Sequence, residues 1–186
     1  RAMGTGGLSS RDVDITPLPF PDMEAAFAGQ SIDAAIIIEP FLTRVVDREV
    51  AHLWARDDMY YPNHQLAVVL YSQLFAQGQT DVARRALVAY LRGVRDYNDA
   101  FVKGDPAKRA AAVAALVKHT PVKDAALYDR MVMPGLDPDG KVNVESLAAD
   151  QEFFMATGYQ QQRVEMSVLV DPQFAAYAVQ VLGPYR

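Results

Sequence analysis

The stretch GQSIDAAIIIEPF, residues 29–41, limits what this chain can fold into more than any other. Residues 34–38 are a short, unbroken apolar run, the pattern of a strand covered on both faces. Gly29 is placed to close a preceding helix, and Pro40 to start a following one. Helix, hidden strand and then a carboxylate, Glu39, at the strand's carboxyl end is the order of an open parallel α/β sheet. Ligands in such sheets sit just beyond the carboxyl ends of the strands. Glu39, Pro40 and Phe41 are therefore the first place to expect a site.

The chain has 186 residues, room for one large domain or two small ones. A net charge of −5 offers no basic field to nucleic acid or to an anionic membrane surface. Cysteine is absent, which excludes a disulfide scaffold, a thiolate nucleophile and thiolate-ligated zinc. No apolar run reaches the roughly 18 residues of a membrane span.

Further along, residues 13–18 alternate apolar and polar and stop at Pro17 and Pro19, as a strand does. Asp22 is placed to cap a short helix over residues 23–28. Residues 50–55 and 66–71 (LAVVLY) are two more expected strands, separated by the turn-rich RDDMYYPN. Beyond them the chain is expected to be mostly helical. The longest helix is expected over residues 81–103, with Ala83, Leu87, Tyr90, Val94, Tyr97 and Phe101 on one face and Arg84, Arg85, Arg92 and Arg95 largely off it. Pro106 and Pro121 mark two further helix starts, DPDG at residues 137–140 a turn, and Asn143 a cap.

No catalytic or metal motif is present. Gly4, Gly6 and Gly7 are not followed by the Lys-Ser/Thr of a phosphate loop. His52, His64 and His119 lie far apart, without a second ligand at metal-binding spacing. Asp57 with Asp58, and Asp137 with Asp139, sit in turns, where Asp is favoured because it bonds the local backbone. No serine lies in a nucleophile elbow. The residues expected to face a cleft are Phe20, Asp22, Glu39, Phe41, Tyr60, Tyr61 and Asn63. Tyrosines stack on rings, and Glu39 is suited to accept hydrogen bonds from ring amino groups.

The succession DVDITPLPFPDMEAAFAGQSIDAAIIIEPF resembles the second-lobe signature of the ABC-transporter substrate-binding proteins of the nitrate/sulfonate/taurine and thiamine-precursor type. LAVVLYSQLFAQG, VARRALVAYLRGVRDYND, DPDGKVNVESLAADQEFFMATGY and VDPQFAAYAVQVLGPY resemble that family's later segments in its order. The resemblance implies an α/β, type II periplasmic-binding-protein-like fold, here truncated, with a mostly helical C-terminal half. Residues 1–57 would be the second half of lobe two, and residues 58–186 the C-terminal part of lobe one. It implies no enzyme and no cofactor. The implied function is that of an importer component which captures a small solute (sulfonate, pyrimidine-like or aromatic) and presents it to an ABC permease. A ligand-sensing regulatory module of the same fold is the alternative. The implied location is periplasmic or otherwise extracytoplasmic, with a lipid anchor on an upstream segment. The related thiamine pyrimidine synthases use cysteine and histidine motifs without counterpart here. A chain missing the opening parts of both lobes would leave strand edges uncovered, and self-association is expected.

Overall fold

The structure, a computed structural model, describes residues 2–186. Its helices are α1 (Ala2–Thr5), α2 (Met23–Ala28), α3 (Phe41–Asp47), α4 (Gln73–Gly78), α5 (Thr80–Phe101), α6 (Pro106–His119), α7 (Leu127–Arg130), α8 (Val144–Ala156), α9 (Met166–Leu169) and α10 (Gln173–Leu182). Single 3-10 turns occupy Phe20–Asp22 and Asp57–Met59. Among the described residues there is no strand.

The expected α/β, type II periplasmic-binding-protein-like fold is thereby overturned: all regular structure here is helical. The physical reason lies in where backbone groups find partners. A helix pairs its own N–H and C=O groups four residues apart; a strand needs a second segment beside it. The four expected strands lie outside every helix and pair with nothing. Ile36, meant for a hidden strand, stays 88% exposed.

The chain forms two compact units, each discontinuous in sequence. One comprises Arg1–Pro62 and Val113–Pro134, the other Asn63–Ala112 and Gly135–Arg186.

The second unit is built on α5. Its buried residues Ala83, Leu87, Val88, Leu91, Val94, Asn98 and Ala100 form one seam. Val88, Leu91 and Val94 close on Ala178 of α10, with Leu136, Tyr177, Val179 and Leu182 around them. Ala83 and Leu87 close on Phe174, beside Tyr71 and Phe75. Leu91 is 0% exposed, and burial of that kind contributes about 2–3 kcal/mol. The expected stripe shares Ala83, Leu87 and Val94 with this seam, but Leu91 and Asn98 stand where Tyr90 and Tyr97 were expected. Steps of three and four are both open to a helix, and the partner chooses between them.

Two polar groups fix the seam's lower end. The buried Asn98 Nδ2 donates to the carbonyls of Val94 (2.8 Å) and Leu136 (3.0 Å). Arg95, expected largely off the packed face, donates from Nε to the Pro138 carbonyl at 3.0 Å and from Nη2 to Asp139 at 2.9 Å. The DPDG turn is thus held against α5. Gly140 there has φ +70°, and a Cβ on it would come within 3.1 Å of Leu91 Cδ2, so glycine is required on both counts.

The first unit has a smaller core of Val122, Leu127 and Tyr128, packed by Val113, Leu116, Val117, Met131 and Met133. The Tyr128 and Thr120 hydroxyls are 3.0 Å apart. The helix expected from Pro121 onward is helical only over Leu127–Arg130.

Tyr97 packs against Phe101 with ring centroids 4.8 Å apart, and burial pushes its phenol up to about 12. An unfolded tyrosine ionises near about 10. The folded state therefore holds this proton where the unfolded state releases it. The resulting stability is complete below about pH 10 and is lost as pH rises towards about 12. Ultraviolet titration of the nine tyrosines is expected to end in a late tyrosinate step that Tyr97→Phe removes. A titration complete by about pH 11 would contradict this burial.

Candidate functional site

Most of the expected cleft residues fall in the first unit, around the entry to α3. The turn at Phe20–Asp22 carries Phe20, whose ring stacks on Phe41 at 6.4 Å with planes 19° apart. Asp22 is exposed and caps α2 without a side-chain hydrogen bond. Tyr60 stacks on the exposed Trp54 at 5.8 Å, and the Tyr61 N–H donates to the Asp57 carbonyl at 2.8 Å. Asn63 belongs to the second unit, in a left-handed conformation (φ +59°). Its carbonyl accepts from Asn143 Nδ2 at 2.7 Å.

Glu39 is occupied by its own chain. One carboxylate oxygen accepts from the Thr43 N–H (3.1 Å) and hydroxyl (2.8 Å), and the other from the Val132 N–H (3.0 Å). Thr43 lies in the first turn of α3 and is itself buried. A carboxylate just ahead of a helix satisfies an otherwise orphaned N–H there. Glu39 therefore ties the start of α3 to the segment after α7, all within the first unit. This geometry leaves it no free oxygen directed at a ring amino group.

Sequence reasoning missed the charged hollow on the same unit. A cavity of about 190 Å³ is lined by Arg44, Asp47 and Arg48 of α3 and by Val122, Asp124, Leu127 and Arg130. Arg130 donates to Asp47 from Nε (3.2 Å) and Nη2 (2.9 Å), and Arg48 pairs with Glu24. Asp124 accepts from the Ala126 N–H at 2.9 Å. Arg44 differs from these two arginines. It has no carboxylate partner among the described residues, and its guanidinium stands 5.9 Å from the centre of the Phe41 ring. The pattern R-x-x-D-R over residues 44–48 was the available signal; Arg130 joins it only through folding.

The remaining candidates are held in local structure. Asp137 accepts from the N–H groups of Asp139 and Lys141, Asp139 pairs with Arg95, and Asp58 pairs with Arg56, which holds its carboxyl below the usual range. His64 lies 3.4 Å from Asp150. Among the described residues no group of three or more acidic or imidazole ligands converges on a point, and no helix is long and apolar enough to cross a membrane.

No protein-family model, curated protein or solved structure matches this chain.

Replacing Glu39 by Ala strands the Thr43 N–H and hydroxyl together with the Val132 N–H, and is expected to destabilise the first unit by about 1–3 kcal/mol. Glu39→Gln keeps an acceptor and is expected to cost less. Urea unfolding of the two variants beside the parent checks this. An unchanged midpoint for Glu39→Ala would mean that these bonds contribute nothing.

Proposed function

We propose that the chain serves as the solute-capturing component of an ABC importer, working outside the cytoplasmic membrane and delivering a small organic anion to a permease. The order of its segments supports this reading, from residues 12–41 through the closing segment at residues 170–185. Arg44 is the observation that carries it. A guanidinium without a carboxylate partner stands over the Phe41 ring, which is itself stacked on Phe20. Guanidinium groups bind carboxylate and sulfonate oxygens in a bidentate fork, and the aromatic pair gives an apolar or planar body a surface to lie on.

The engaged state of Glu39 bears on which solute is held. With both oxygens accepting from the protein's own N–H and O–H groups, an aminopyrimidine finds no acceptor there. A sulfonate or an aromatic acid does find its counter-charge at Arg44. The reading assigns no bond-making step to the protein.

Isothermal titration with alkanesulfonates, aromatic carboxylates and aminopyrimidines tests it. Binding of one of the two anionic classes is expected, weakened by salt and reduced by about tenfold or more in Arg44→Ala. Absence of binding by either anionic class, or equal affinity in the variant, would overturn the assignment.

A further inference from the structure

Residues 66–70, Leu-Ala-Val-Val-Leu, are five consecutive apolar residues in the second unit, and every one of them is exposed. Leu66 and Leu70 keep 67% and 81% of their surface in solvent. The segment lies outside any helix, and the backbones of Val68, Val69 and Leu70 take no part in any hydrogen bond among the described residues. Natural edges of this composition are guarded by charge, proline or a covering element. This one is not: residues 64–72 contain no Lys, Arg, Asp, Glu or Pro. Leu74, in α4, adds a further exposed apolar side chain just beyond it.

Surface area indicates how much the chain leaves uncovered. Its accessible surface is 13221 Å². Two entirely separate folded bodies of about 9 and 11 kDa would together expose about 10,600 Å². The excess of about 2,600 Å² is what folded domains of this mass normally bury. Obligate dimers bury about 2,000–5,000 Å² in total, so a second copy covering even half of the excess on each chain reaches that range.

We propose that residues 66–70 are a self-pairing edge, through which two copies of this chain join antiparallel across a two-fold axis at Val68. In that register Leu66 opposes Leu70, Ala67 opposes Val69, and Val68 meets its own copy. Beyond them Gln65 opposes Tyr71 and His64 opposes Ser72. No like charges meet, and the vacant N–H and C=O groups of each copy find partners on the other. The apolar run of the first unit, residues 32–38, is a poorer edge for this purpose because Asp33 lies within it and Glu39 follows it.

Sedimentation velocity from low to high micromolar concentration, with infrared amide spectra of the same samples, tests the proposal. The parent chain is expected to pass from monomer to dimer and to gain a β-sheet band as it does so. Val68→Lys places two ammonium groups on the axis and is expected to stay monomeric over the whole range with unchanged helical circular dichroism. Val68→Ile keeps the edge and is expected to dimerise like the parent. A parent monomeric throughout, a dimer without the β-sheet band, a lysine variant that dimerises as tightly, or open-ended assembly in place of a closed dimer would each overturn it.

Discussion

A backbone N–H in a helix finds its carbonyl four residues back along the same chain, whereas one in a strand waits for another segment to arrive. That constraint decides which parts of this protein form regular elements. α5 satisfies its own backbone over Thr80–Phe101 and then needs only side-chain burial to be fixed in place. Leu91, Val94 and Ala178 supply that burial, and Asn98 and Arg95 pin the carbonyls of Leu136 and Pro138 to the same helix. The apolar runs at residues 34–38 and 66–70 have comparable hydrophobicity but no way to satisfy themselves.

The helical half was legible because its signals are local. Proline at the first position of α6 and asparagine ahead of α8 act on neighbours within a turn, and both stand where the sequence places them. The Asn143 side chain accepts from the Ser146 N–H as an N-cap should. The sheet was not legible in the same sense. An apolar, β-branched run states a preference for a pleated, covered environment, and it does not state that such an environment exists. Ile36 illustrates the difference: its pattern asks for burial, and it lies in solvent.

The candidate site divides along similar lines. Phe20 and Phe41 could be named from loops on either side of one helix–strand pattern, and they do meet as a stacked pair. Glu39 was marked by its position, yet its partners Thr43 and Val132 turn it into a structural group. The bond to Val132 spans most of the first unit's sequence, so no reading of residues 29–41 alone reveals it. Arg44 drew no attention because an arginine on a short helix is ordinarily a solvated one. Only the pairing of Arg48 with Glu24 and of Arg130 with Asp47 sets it apart as the guanidinium without a carboxylate.

Amide hydrogen exchange, followed by mass spectrometry on dilute protein, tests most directly the claim that helices are ordered here while the apolar runs await a partner. Peptides covering Leu87, Leu91 and Val94 in α5 are expected to stay protected long after residues 33–37 have exchanged at close to the rate of an unstructured peptide. Protection of residues 33–37 equal to that of α5 would contradict the account, because it would show those N–H groups already paired within a single chain.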